Sequence, residues 1–203
     1  PGSGKSTILN ILELLFQGYT TTFDAGALGS KSDQFATSSL GKSSLVAIDQ
    51  DGDLSRIETN GLLNSVVAHE TILINEKGVK RYPKRINALL FIGTNKPVKI
   101  TDSKSGIIRR LIDISPTGQT VGADEYQTLM TQIRDELGKI ANHCLGVYRS
   151  LGKHYYDAYK PQDMMMKTNV LYNFVEENYL LFKTEEYISL TMAYKLYKEY
   201  CSE

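Results

Sequence analysis

Hydrophobic and polar positions in the first half of the chain follow an α/β pattern. Apolar residues recur at helical spacing over residues 6–16, and a short run of threonines at 20–22 indicates a strand. Three apolar runs at 45–49, 86–93 and 111–114 are short and nearly continuous. Such runs are typical of strands buried on both faces of a parallel sheet.

The segments between these runs predict a loop, a helix and a hairpin. Residues 24–44 are rich in Gly, Ser, Lys and Asp, which favours a loop with one weak helix. Residues 56–68 have a helical pattern. Apolar runs at 71–75 and 79–82 flank a turn that contains Gly78, and this arrangement predicts a β-hairpin with glycine at its tip.

The second half of the chain has a helical pattern. It predicts one long helix from about 122 to 151, another over 164–182 and a last one over 190–201. An α/β order followed by helices alone predicts a parallel-sheet domain over residues 1–118 and a helical region over 119–203.

Charge is balanced over the whole chain but unevenly distributed along it. The sequence has 23 basic and 23 acidic residues, a balance that by itself argues against a nucleic-acid binder. Residues 45–76 carry six acidic side chains and one basic, whereas residues 77–110 carry ten basic side chains and one acidic. This order indicates a metal and nucleotide region beside a region that contacts a polyanion, although solvated loops give the same pattern.

The strongest motif stands at the start of the chain. The sequence matches the end of a P-loop, G-x-x-x-x-G-K-[ST], and leads straight into the first helix. Backbone N–H groups of such a loop surround phosphate, the lysine reaches the β- and γ-phosphates, and the hydroxyl is a ligand of Mg²⁺. We expect the first glycine of the motif and its strand to lie upstream. The predicted nucleotide-binding residues are Gly2, Ser3, Gly4, Lys5, Ser6 and Thr7.

Polar residues at the ends of two predicted strands complete a candidate catalytic set. Asp49 ends the 45–49 run and suits the Walker B role of holding Mg²⁺. Asp51 is placed to polarise the attacking water, although a solvated turn is an equally good interpretation. Asn95 follows the 86–93 run in Gly-Thr-Asn-Lys-Pro, where its amide could orient that water.

A pair of arginines precedes the 111–114 run. Arg109 and Arg110 follow a loop and are poorly explained as core residues. As arginine fingers they would stabilise transition-state charge, in a neighbouring subunit's site if the protein forms a ring. The alternative is that they are surface cations.

The ordered set G-S-G-K-S-T, L-V-A-I-D, G-T-N-K-P and G-I-I-R-R-L-I-D-I resembles the superfamily 3 helicases. Within that superfamily, the set resembles the C-terminal motor domain of phage and plasmid primase–helicases. The resemblance implies a P-loop ATPase fold of the AAA+ type, with a winged-helix-like segment beginning over residues 174–203. Gln50 stands where that family usually carries a glutamate, so the identity of the water-activating acid stays open.

The resemblance also implies roles, partners and a location. Lys5 and Ser6 would bind ATP and Mg²⁺, Asp49 would be the Walker B acid, Asn95 the sensor, and Arg109 or Arg110 the finger. The family carries a DNA-contacting hairpin, and the residues in that place are Lys77, Lys80 and Arg81. It implies a ring, expected to be a hexamer, that translocates on one DNA strand. It implies that the protein is encoded by a phage or plasmid and acts in the cytoplasm of a bacterial cell, with no membrane association.

Two other functional classes fit parts of the sequence. A small-molecule kinase also uses a P-loop but needs neither Asn95 nor arginines acting in trans. A non-hydrolysing DNA-binding or assembly fragment would need no complete catalytic set. Hydrolysis that responds to DNA separates the helicase from both alternatives.

Overall fold

The structure is a computed structural model that describes residues 4–30, 33–53, 59–95, 110–159, 161, 169–184 and 188–201. Its first half contains helices α1 (Lys5–Leu15), α2 (Ala25–Leu28) and α3 (Gly61–Val67), with a 3₁₀ helix at Ser38–Gly41. The strands are β1 (Thr20–Thr22), β2 (Val46–Asp49), β3 (Thr71–Ile74), β4 (Tyr82–Arg85) and β5 (Leu89–Ile92). The second half contains α4 (Ala123–Asp135), α5 (Leu137–Leu151), α6 (Val170–Glu177), α7 (Tyr179–Thr184) and α8 (Leu190–Tyr200).

A three-stranded parallel sheet forms the centre of the first half. Its strand order is β1-β2-β5, and β2 pairs with both neighbours in parallel register, with Ile48 opposite Phe91. Val46 and Ile48 pack under Leu9 of α1 on one face. Ala47 faces the other side, where α2, α3 and the hairpin form the larger core. The apolar run of β2 is therefore continuous because both faces of the strand are covered.

Most of the predicted elements in this half are confirmed. The first helix, the threonine strand, the parallel strands β2 and β5, and the hairpin are all present. β2 is buried as predicted, whereas β5 stands at the end of the strand order and its residues are half-buried or exposed. The helix predicted over 56–68 is observed as α3, and residues 54–58 lie outside the described ranges. The hairpin differs in one respect, because β4 covers 82–85 rather than 79–82. Ile74 pairs with Tyr82, so residues 75–81 form the connecting loop.

The predicted strand at 111–114 is wrong. Residues 111–122 are irregular, and Ile112 and Ile114 are 57% and 75% exposed. Leu111 packs against the core, while the Asp113 backbone bonds with the Tyr159 hydroxyl instead of with a strand. An apolar run alone did not distinguish a strand from a segment held by a distant side chain.

The long helices of the second half are interrupted. Instead of one helix over 122–151, α4 ends at Asp135, and its C-cap residue Glu136 leaves the helical region with a φ of −105° and a ψ of 8°. The Glu136 N–H is shared between the carbonyls of Gln132 and Ile133, a bifurcation common at helix ends. The helix predicted over 164–182 is observed as α6 and α7, and residues 162–168 are outside the described part. The last helix is confirmed at α8.

Backbones approach most closely where β2 and β5 end. The Gly93 N–H donates to Asp49 O at 2.7 Å, and the Gly52 N–H donates to Gly93 O at 2.8 Å. A Cβ on residue 93 would lie 2.8 Å from Gln50 O and 2.9 Å from Leu9 Cδ1. Position 93 therefore requires glycine, because there is no room for a side chain.

We expect Gly93→Ala to destabilise the protein by about 1–3 kcal/mol, because the added methyl group overpacks the junction. Gly146→Ala is the matched control. Position 146 lies inside α5 with no heavy atom near an added Cβ, so alanine there should stabilise by roughly 0.5–1 kcal/mol. Urea denaturation followed by circular dichroism measures both. Equal effects of the two substitutions would contradict the packing at Gly93.

Candidate functional site

The start of α1 has free backbone N–H groups and a left-handed N-cap glycine, features that suit anion binding. Gly4 is the N-cap and has a φ of 79°, a left-handed conformation that glycine adopts without strain. The first turn of α1, which is described in full, carries no acidic side chain. Its N–H groups at Lys5, Ser6 and Thr7 precede the first intrahelical bond, donated by the Ile8 N–H to Gly4 O. Gly2 and Ser3 lie outside the described residues.

A chain of hydrogen bonds joins Lys5 to the ends of β2 and β5. Lys5 Nζ donates to Asn95 Oδ1 at 2.5 Å, and Asn95 Nδ2 donates to Asp51 Oδ1 at 3.1 Å. These three side chains come from the start of α1 and from the loops after two neighbouring strands. The structure therefore brings together three of the residues that the sequence predicts as catalytic.

Asp49 lies at the same sheet edge but bonds to a different group. Its Oδ2 accepts from the Ala25 N–H at the start of α2, at 2.8 Å, and its Oδ1 accepts from the Asp51 N–H at 3.3 Å. An ionised carboxylate offers about four acceptor positions, so these two bonds leave room for a further donor or a water-bridged cation. The arrangement fixes Asp49 in orientation while leaving part of its oxygen surface available.

Gln50 points away from this cluster. Its Nε2 donates to Asn10 Oδ1 in the second turn of α1, at 3.2 Å. Asp51, in contrast, is exposed and bonded directly to Asn95. Of the residues that follow β2, Asp51 is therefore the acid in contact with the Lys5–Asn95 pair.

Of the two predicted arginines, Arg110 belongs to the part that the structure describes, and Arg109 lies outside it. Arg110 Nη1 donates to Asn64 Oδ1 on α3 at 3.3 Å. This bond ties the arginine to the second face of the sheet, where α3 packs in the larger core. Arg110 is half-buried.

The tip of the β3–β4 hairpin is exposed and basic. Lys77, Lys80 and Arg81 are all exposed, and Gly78 turns the chain with a φ of 78°. A basic tip on a short loop is suited to contacts with backbone phosphates, which need positive charge but no base recognition.

The end of the hairpin next to its loop contacts the segment before β2. Tyr82 Oη donates to Glu76 Oε1 at 2.8 Å, and Lys84 Nζ donates to Gly41 O at 2.6 Å. A Cβ on Gly41 would collide with the Glu76 carboxylate and approach Tyr82 Oη to 2.9 Å.

Buried Thr37 adds a third anchor, donating from its hydroxyl to Leu73 O and accepting from the Asn75 N–H. We call these three contacts the hairpin clamp.

Several of these contacts could not be identified from the sequence. Nothing in the chain signals that Thr37 and Gly41 meet the hairpin, or that Asp49 bonds to Ala25. Thr7 also meets a residue of the second half: its Oγ1 lies 3.2 Å from the hydroxyl of Tyr126 on α4. The sequence predicts Thr7 as a nucleotide-binding residue only because it lies in the G-S-G-K-S-T motif, and it does not indicate the contact with Tyr126.

Comparisons with known proteins give one family. The sequence model of a family described as "Family of unknown function (DUF5906)" matches residues 1–110, more than half of the 203 residues. The match covers α1, the parallel sheet, the hairpin and the cluster at Lys5. No curated protein matches the chain. Among the helices that the structure describes, none combines the length and apolar character needed for a membrane span.

We expect the hairpin clamp to weaken at high pH. The hydrogen bond to Glu76 raises the pKa of Tyr82 above its ordinary value of about 10, with desolvation and the Glu76 charge adding to the shift. A raised folded-state pKa means that the stabilisation is fully present below about pH 10 and is lost as pH rises through the folded pKa. Thermal melts from pH 8 to 11 should therefore show a decline that Tyr82→Phe reduces.

Tyr19→Phe is the matched control, because Tyr19 is exposed and is not part of the clamp. Its melts should follow the wild-type decline. An unchanged pH dependence in Tyr82→Phe would mean that the Tyr82–Glu76 bond does not contribute to stability.

Proposed function

The chain belongs to the DUF5906 family, and we propose that it is the ATP-hydrolysing motor of a phage- or plasmid-type replicative DNA helicase. The observation that supports this most is the hydrogen-bonded chain from Lys5 through Asn95 to Asp51. A P-loop lysine, a polar side chain after one strand and an acid after its neighbour are the parts that hydrolysis of a γ-phosphate requires.

In this proposal each residue has a separate role. Lys5 and the first-turn N–H groups of α1 bind the phosphates, and Asn95 orients the attacking water. Asp51 accepts a proton from that water. The water oxygen forms a bond to the γ-phosphorus while the bond from the γ-phosphorus to the leaving ADP breaks. The contact between Asn95 and Asp51 favours Asp51 for this role over Gln50, which bonds to Asn10.

The residues present fit a magnesium ion. Ser6 is exposed at the start of α1, and Asp49 keeps acceptor positions beyond its two backbone bonds. Hydroxyl and carboxylate oxygens, with waters and phosphates, are the ligands that Mg²⁺ prefers. Ser6 and Asp49 would hold the ion, which neutralises charge on the phosphates when bound.

We further propose that the motor works as a ring, expected to be hexameric, with Arg109 or Arg110 reaching a neighbouring subunit's site. Arg110 is anchored through Asn64 to α3, a well-packed element, which would hold a finger in a defined position. The basic hairpin tip would contact one DNA strand in the channel. In this proposal the fold is of the AAA+ type. The protein would act in the cytoplasm of a bacterial cell.

The ATPase proposal predicts that single-stranded DNA stimulates ATP hydrolysis by the full-length protein. Lys5→Ala and Asn95→Ala should each lower kcat by about 10²-fold or more, because each removes a preorganised polar group at the reacting phosphate. Asp51→Asn should lower kcat by a similar factor through loss of the base. A coupled phosphate-release assay with and without a DNA oligonucleotide measures all three.

Lys42→Ala is the control for loss of one lysine charge, since Lys42 is exposed on the loop before β2. Its kcat should stay within roughly twofold of wild type, as for most surface substitutions. Hydrolysis that ignores DNA would overturn the helicase proposal in favour of a kinase or another ATPase. Activity that survives Lys5→Ala would overturn the ATPase site itself.

A second prediction concerns the hairpin tip. Replacing Lys77, Lys80 and Arg81 together by alanine should lower the affinity for single-stranded DNA. It should also reduce the slope of log K against log salt by about 2, because each lost phosphate contact on a single strand removes about 0.7. Fluorescence anisotropy with a labelled oligonucleotide over a salt series measures both quantities.

The charge-matched control replaces Arg149, Lys153 and Lys195, three exposed cations of the helical region, by alanine. This variant has the same net charge as the hairpin variant. If both variants lose the same slope, binding depends on overall charge and the hairpin has no special contact with DNA.

A further inference from the structure

One hydrogen bond links the nucleotide-binding helix to the helical region. Thr7 Oγ1 and Tyr126 Oη lie 3.2 Å apart, although 119 residues separate them in the chain. Both side chains are half-buried. One turn farther along α4, Met130 is buried, and α5 packs against α1. Tyr126 therefore lies at the edge of a packed contact, beside the start of α1.

The direction of a bound nucleotide follows from Lys5. Its ammonium group lies at Asn95, so the terminal phosphate belongs on that side of α1. Two residues along an α-helix rotate the side chain by about 200°, which places Thr7 on nearly the opposite side. In the proposed site the rest of the nucleotide extends away from Lys5, toward the side of α1 where Thr7 and its partner Tyr126 lie.

We propose that Tyr126 contacts the nucleoside part of the nucleotide and that Thr7 holds its hydroxyl in place. This inference rests on the proposed ATP site. Tyrosine presents a flat apolar ring, and stacking of a base on such a ring contributes to binding without requiring a particular base. The helical region would thus complete the site, with Thr7 as a positioning residue.

The test compares ATP with inorganic triphosphate, which has phosphates but no nucleoside. Isothermal titration of the full-length protein should show that Tyr126→Ala weakens ATP binding by about tenfold, the range expected for one aromatic–base stack. Binding of triphosphate should be unchanged. Tyr126→Phe keeps the ring and Thr7→Val removes its anchor, so each should weaken ATP binding by a few-fold. The double variant with Tyr126→Phe and Thr7→Val should lose no more ATP affinity than either single variant.

Tyr148→Phe is the matched control, since Tyr148 is an exposed tyrosine on α5 that has no bond to Thr7. It should bind ATP as wild type does. If Tyr126→Ala weakens ATP and triphosphate equally, the residue only supports the fold of α1 and the inference is overturned. Unchanged ATP binding in Tyr126→Ala overturns it as well.

Failure of the proposed function gives a different result. In that case wild type would not bind ATP, or Lys5→Ala would bind it as tightly as wild type does. If only the inference is wrong, wild type still binds ATP and Lys5→Ala still weakens that binding. Melting temperatures of all variants, measured in parallel, exclude unfolding as the cause of weakened binding.

Discussion

The close approach of the backbones at the ends of β2 and β5 is the constraint on which the candidate site depends. Two hydrogen bonds between Gly93 and the Asp49–Gly52 turn hold the strand ends together, and no side chain fits between them. Asn95 follows one strand and Asp51 the other, so the separation of these two side chains is set by the backbone before any side chain turns toward its partner. Lys5 then completes the cluster from α1, which packs on the same two strands through Leu9. Core packing and site geometry are therefore parts of one arrangement.

The sequence predicted this part of the molecule well, for a physical reason. Parallel strands end at the same edge of a sheet, so polar residues that follow two buried apolar runs are brought close together whatever the loops between them do. Asp49, Asp51 and Asn95 could be grouped on that basis alone, and the glycine-rich turn before an amphipathic helix predicted where Lys5 would join them. These are local patterns with strong steric causes, and the structure has them where they were expected.

Other features depend on contacts that no local pattern encodes. The apolar run at 111–114 resembles a strand, yet its backbone bonds with Tyr159, more than 40 residues away. α4 ends at Asp135, before the C-cap Glu136, although the helical apolar spacing continues beyond it. Thr7 pairs with Tyr126, Asp49 with Ala25, and Thr37 with Asn75, and in each pair nothing in the sequence near one residue indicates the other. Each is a choice of partner made by tertiary packing, which a single sequence does not reveal.

The hairpin clamp has a mechanical consequence. A hairpin joined to its domain only by its two strand ends would bend at those ends under load, and a pull on its tip would be absorbed there. Here the hairpin is also held near its loop, where Thr37 bonds to Leu73 and Asn75, Lys84 bonds to Gly41, and the Tyr82–Glu76 pair lies against Gly41. Bending is therefore confined to the loop between β3 and β4. A force applied at Lys77 would pass through these contacts into the segment before β2, so the clamp would stiffen the hairpin against bending.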